Sequence, residues 1–173
     1  RERLGPNSYD VTLGRNLLTH TRYWLDDEML SRNAAEEPKV DHQRIPLLGT
    51  ILEPGNLYLG TISEFTSTSP RYVPMIDGTS SAGRLGLSVH ITAGRGDAGF
   101  AGHFTLEMTV VEPLRVYAGM PVGQIWWMRG DGDVERPYGS RASSNYQSPK
   151  REEDPMPKPS AMWKKLAAMR GGK

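Results

Sequence analysis

Arg84, His90 and Glu107 offer an anion binder, a titratable ring and a carboxylate within one short stretch, Gly78 to Glu107. They lie on two runs of alternating apolar and polar residues, the signature of half-buried strands. Leu85, Leu87, Val89 and Ile91 share one parity of the first run, and Phe104, Leu106, Met108 and Val110 share one parity of the second. A Gly-rich loop at 93–102 separates them. If the runs pair as an antiparallel hairpin with their apolar faces together, Arg84, His90 and Glu107 share the opposite, polar face. An arginine and a glutamate opposed within a sheet need a reason. A metal is a poor one, because His103 and Glu107 stand four residues apart on a strand, too far for one ion, and no HExxH or H-x-E with P-C-x-x-C is present. A serine nucleophile is another poor one, since Ser80-Ser81 has no G-x-S-x-G elbow around it. Asp97 taken alone caps a turn more often than it catalyses, and His90 taken alone is more often a hydrogen-bonded structural residue. Arg95-Gly96-Asp97 recurs as Arg129 to Asp131 and carries no adhesion signal.

The elements that must position these groups are bounded by composition. The chain has 173 residues, enough for one domain with a real core. Lys plus Arg is 21 against 20 for Asp plus Glu, spread along the chain, so neither a nucleic-acid groove nor a membrane-seeking face is indicated and the expected partner is a small molecule. With no cysteine, thiol nucleophiles and thiolate zinc sites are excluded, which suits a reducing cytoplasm. No apolar run reaches transmembrane length. The opening RERLGPNSYD reads like mid-domain sequence, so an N-terminal segment is expected to be missing.

Asn7 to Leu13 predicts a short strand, in which the acid Asp10 must be paired or at an edge. The charged stretch 20–44, with Asp26, Asp27 and Arg32, predicts a surface excursion. Pro54-Gly55 is a turn between β-rich runs, 66–70 a loop, and Tyr72 to Ile76 a further strand. After Glu107, breaks at Glu112-Pro113, Ala118-Gly119 and Gly123 predict short strands spaced as in a sandwich or jelly roll. In QIWWM, one tryptophan is expected in the core and the other against a neighbour. Residues 131–173 form a second region: a Gly, Ser and Pro-rich flexible lid or tail, then a short terminal helix capped by Ser160.

GTSSAGRLGLSVHITAGRGDAGFAGHFTLE resembles the signature of the dCTP deaminases, in the dUTPase-like superfamily of trimeric jelly rolls. The similarity extends to SYDVTLG, YLGTISEFT, AGMPVGQ and RPYGSRASSNYQ, in that order. It implies an all-β, mainly antiparallel fold, a distorted jelly roll over 1–130 with few short helices, in a homotrimer whose sites lie between subunits. The S-S-x-x-R-L-G run and the T-L-E strand belong to the deaminase branch. By this resemblance Glu107 is the general base that activates water against C4 of cytosine and passes its proton to ammonia. Arg84 and Ser80 orient the water and stabilise the tetrahedral intermediate, without zinc. Thr92 and Ala93 read the pyrimidine edge, Phe100 packs on the deoxyribose, and Asp97 holds the 3′-hydroxyl. Ser81, Gln124, Tyr138, Tyr146 and Gln147 contact the phosphates, which carry Mg2+.

Some positions depart from the family pattern. Thr79 and Asn145 stand where the family has cations facing the triphosphate. Arg136, Arg141, Lys150 and Arg151 are the candidates to replace them, and a less charged substrate such as dCMP is the alternative. Gly96 replaces a hydrophobic residue before Asp97, which predicts a looser sugar loop. The expectation is deamination of dCTP to dUTP and ammonia. The alternatives are a bifunctional enzyme that goes on to dUMP and pyrophosphate, with Asp97 directing the second water, and a non-catalytic nucleotide-binding jelly roll.

Overall fold

The computed structural model describes residues 2–20, 24–25, 28–29, 34–140, 144–148 and 150–171. Asp26, Asp27, Arg32, Arg141 and Pro149 lie outside these. The elements in chain order are β1 (Tyr9–Thr12), β2 (Asn16–His20), β3 (Trp24–Leu25), β4 (Glu28–Met29), β5 (Val40–Arg44), β6 (Thr50–Leu52), β7 (Tyr58–Thr61), β8 (Thr66–Ser67) and β9 (Tyr72–Gly78). Then follow α1 (Ser80–Arg84), β10 (Leu87–Ser88), β11 (Ala101–Gly102), β12 (Thr105–Val110), β13 (Leu114–Val116), β14 (Pro121–Arg129) and α2 (Met162–Gly171). A three-stranded sheet β1-β14-β9 and a five-stranded sheet β10-β12-β7-β2-β5 are joined by short strand pairs, every described pairing antiparallel. This is the mainly antiparallel all-β fold expected, a distorted jelly roll with two short helices.

The core explains the layers. Val11, Ile76, Val122 and Ile125 from the smaller sheet meet Leu17, Leu87, Leu106, Met108 and Val110 from the larger in one cluster. Leu106 and Met108 are fully buried, each contributing about 1.5–3 kcal/mol of apolar transfer. Their alternation with Thr105, Glu107 and Thr109 turns the other face of β12 outward.

The first run departs from the expected strand. Leu87 and Val89 are buried, but Leu85 is 58% and Ile91 62% exposed, and only Leu87–Ser88 is strand. Ahead of it lies α1, because Thr79 caps a helix: its Oγ1 accepts from Ala82 N at 3.0 Å. Gly86, at φ +78°, ends the turn where a side chain would meet Val111. Arg84 therefore leaves the polar face of the hairpin, and Thr79 has a structural task in place of a charge.

Other expectations are corrected. The excursion at 20–44 contains β5, which pairs along the whole of β2. That pairing, which needs no apolar alternation, covers the sheet edge with the polar strand VDHQR. β14 runs unbroken through Gly123. Neither tryptophan fills the core: Ile125 does, Trp126 gives its ring N–H to Asp77 at 3.0 Å, and Trp127 is 44% exposed. Asp10 is paired as expected, accepting from Gln124 Nε2 at 2.8 Å on an edge strand. The residues beyond Arg129 have little regular structure until α2, where Ser160 Oγ accepts from Met162 N at 3.2 Å.

Candidate active site

The outward face of β12 opens into a cavity of about 420 Å3. Glu107 reaches it from β12, and the loop after β10 supplies Ala93, Asp97 and Phe100. Tyr138 and Tyr146 close it from the segment beyond Arg129.

Backbone pairing places Glu107. Leu87 and Ser88 pair with Val110 and Thr109, and Glu107 N donates to Val89 O at 2.9 Å, so His90 falls opposite Glu107. Thr92 N then donates to Glu107 Oε2 at 3.2 Å, which orients the carboxylate and leaves its other oxygen for a ligand. At Ala93 the chain takes φ +55°, the left-handed region that costs a non-glycine residue about 1 kcal/mol. The strain falls on a cavity-lining residue immediately after the one bonded to Glu107. His90 is lowered from its ordinary value of 6.5, chiefly by burial, against the pull of Glu107 and Asp77. Its Nε2 is buried with no hydrogen-bond partner.

The sugar loop is tight, contrary to the looseness expected from Gly96. A side chain at Gly96 would come within 2.7 Å of Phe104 and 2.8 Å of Pro74, so glycine permits close packing there. Phe100, 7% exposed, packs on Phe104 and Tyr138 with ring centroids 4.8 and 5.8 Å apart. Gly99 sits at φ +86°, where a Cβ would stand 2.6 Å from Pro137, and Tyr138 N donates to Ala98 O at 2.8 Å. Burial pushes the Tyr138 hydroxyl up, outweighing the effect of its bond from Tyr146 N. Gln147 Oε1 accepts from Ala101 N at 3.2 Å, so this side chain fixes the segment to β11.

Other expected site residues stand elsewhere. Ser80, Ser81 and Arg84 are exposed on α1 and do not line the cavity. Along β12, Val110 lies roughly 10 Å from Glu107, and Arg84 lies beyond Leu87, the partner of Val110. Gln124 is occupied by Asp10 on the smaller sheet. One chain thus presents the expected residues in two separate groups. Arg136 lines a smaller neighbouring cavity, and Lys150 and Arg151 line neither. Two cations that do line the main cavity, Arg95 and Lys158, were missed in the sequence. Arg95 belongs to an Arg-Gly-Asp tripeptide that occurs twice and so marks neither copy out, while the signal for Lys158 was its place between Pro157 and Pro159, in a strap of restricted backbone. Among the described residues no three His, Asp or Glu side chains converge to hold a metal.

A cavity of about 420 Å3 on one face of an antiparallel jelly roll, lined by a carboxylate that a backbone N–H orients, defines the class. A family model described as dCTP deaminase-like matches residues 1–130, and the chain belongs to that family. Similar curated proteins are named dCTP deaminase, dUMP-forming. The one from Clostridium botulinum (strain Alaska E43 / Type E3) is 46% identical over 147 residues, covering 85% of this chain and 78% of that protein. That from Leptospira biflexa serovar Patoc is 45% identical over 142 residues, covering 82% and 77%. That from Cytophaga hutchinsonii is 43% identical over 162 residues, covering 94% and 84%. The crystal structure of 2'-deoxycytidine 5'-triphosphate deaminase from Agrobacterium tumefaciens shares the fold at TM-score 0.58 and 20% identity. The match covers 75% of this chain and 40% of that one, so this chain spans less than half of its length.

Proposed function

We propose that the protein deaminates dCTP and carries the product on to dUMP and pyrophosphate. The observation that carries this reading is Glu107, oriented by Thr92 N on the floor of the cavity, in a chain whose relatives are named dUMP-forming deaminases. Those names favour the bifunctional alternative over release of dUTP.

In this mechanism the Glu107 carboxylate takes a proton from water as the oxygen attacks C4 of cytosine. It then passes the proton to the departing amino group, and ammonia leaves. Ser80 and Arg84 hold the water and the tetrahedral intermediate. Their distance from Glu107 within one chain supports a site completed by a second copy, in a homotrimer. Leu85, Ile91 and Val111, exposed at 58%, 62% and 75%, are apolar surface for such an association. Phe100 packs on the deoxyribose, and Ala93 presents backbone groups to the pyrimidine. Asp97 holds the sugar and directs a second water at the α-phosphorus, breaking its bond to the bridging oxygen so that pyrophosphate leaves. Ser81 and Gln124 of one copy, with Tyr138, Tyr146 and Gln147 on the closing segment, meet the phosphates. The segment acts as a lid, and the phosphates bring their magnesium with them. A cytoplasmic deoxynucleotide pool is the setting this activity calls for.

The test offers dCTP, dUTP and dCMP separately with magnesium and follows ammonia and pyrophosphate. One ammonia and one pyrophosphate per dCTP, with Glu107→Gln lowering ammonia release by about 100-fold or more, is the expected result. Ammonia without pyrophosphate removes the second step, and ammonia surviving in Glu107→Gln removes the assigned base.

A further inference from the structure

A nucleoside triphosphate entering the cavity brings several negative charges to a space already lined by Asp97 and Glu107. Arg95 and Lys158 are the lysine and arginine side chains lining it. Arg95 is exposed and lies between this cavity and the smaller one beside it. Lys158 is half-buried and is fixed at both ends. Its backbone N donates to Thr105 Oγ1 at 3.2 Å, two residues from Glu107 along β12. Its Nζ donates to Tyr146 O at 3.2 Å and to Gln147 O at 3.3 Å. Pro157 is buried before it and Pro159 partly buried after it, so the backbone that carries it has little freedom.

An ammonium has three donors. Two are spent on neutral carbonyl oxygens, and among the described residues no carboxylate pairs with the charge. One donor and the whole charge remain for an anion beside Tyr138 and Tyr146. We infer that Lys158 binds the phosphate chain of the substrate and sets the preference for a triphosphate over a monophosphate. The inference rests on the deoxycytidine nucleotide reading above and deepens it. Because Lys158 is already ordered, an arriving phosphate costs it little conformational entropy. The same ammonium holds the turn carrying Tyr146 and Gln147, so one group joins phosphate binding to the position of the closing segment.

The test titrates dCTP, dCDP and dCMP, with magnesium, into the protein and its Lys158→Met, Lys158→Gln and Lys158→Arg variants, and measures kcat and KM for ammonia release from dCTP. Methionine should weaken dCTP binding about tenfold or more while moving dCMP about twofold or less, with KM changing more than kcat. Glutamine, which keeps donors without the charge, should behave like methionine, and arginine should restore most of the affinity. Equal losses for dCTP and dCMP make Lys158 a structural strap and overturn the inference, as does unchanged dCTP affinity without the charge. Binding is read without turnover, so a protein that binds dCTP but releases no ammonia defeats the deaminase reading alone.

Discussion

His90 and Glu107 face each other across the β10–β12 hairpin, and each is set by what surrounds it. Burial favours the neutral imidazole more strongly than Glu107 and Asp77 favour its charged form. Above pH 6.5 the ring is neutral whether the chain is folded or not. Below that, the unfolded chain takes up a proton that the folded chain resists, so stability present above 6.5 is lost as pH falls toward the lowered folded value. Urea midpoints measured from pH 8 to pH 5 should therefore fall less steeply in His90→Gln than in the parent, and parallel falls would count against a buried neutral ring. At this scale the sequence was partly legible. The parity that turned Glu107 outward was read from Leu106 and Met108, because both neighbours of a β residue face the opposite side. The place of Arg84 was not, because Leu85 and Leu87 mimic strand alternation while Thr79 and Gly86 cap and end a helical turn.

At the scale of elements, residues 154–155 of the segment beyond Arg129 are tied to the larger sheet by side chains of β2, β5 and β7. Asn16, 3% exposed on β2, gives its Nδ2 to Asp154 Oδ1 at 3.1 Å and Pro155 O at 3.2 Å. Thr61 Oγ1 also reaches Pro155 O, and Arg44 pairs with Asp154 at 2.7 Å. Asn16→Ala removes the donor shared by both partners, a cost of about 1–3 kcal/mol for a buried acceptor left short. Cleavage by a protease within 150–160 should quicken in this variant, while the protease resistance of the β-sheets holds. Equal resistance in parent and variant would mean that the strap is held elsewhere. Composition identified this region as irregular, since the prolines and glycines carry no period. It could not show the attachment, because Asn16 and Pro155 are distant in sequence and neither residue type signals the other.

The whole molecule divides its expected catalytic residues between two surfaces. Glu107, Asp97 and Phe100 line a cavity that Ser80 and Arg84 do not reach, whereas hydrophobic parity on one hairpin puts Arg84 and Glu107 on a single face. No periodicity in one chain reveals which surfaces meet between copies, so this part of the site was beyond the sequence except through family resemblance. If copies complete one another, two defective chains can repair each other. Glu107→Gln and Arg84→Ala chains, co-expressed with different tags and purified through both, should each be inactive alone. Together they should release ammonia from dCTP at about one third of the parent rate, because one of the three interfaces in each mixed trimer draws Arg84 from one chain and Glu107 from the other. Mixed assemblies that form and still release no ammonia would mean that Arg84 and Glu107 do not act across a shared interface.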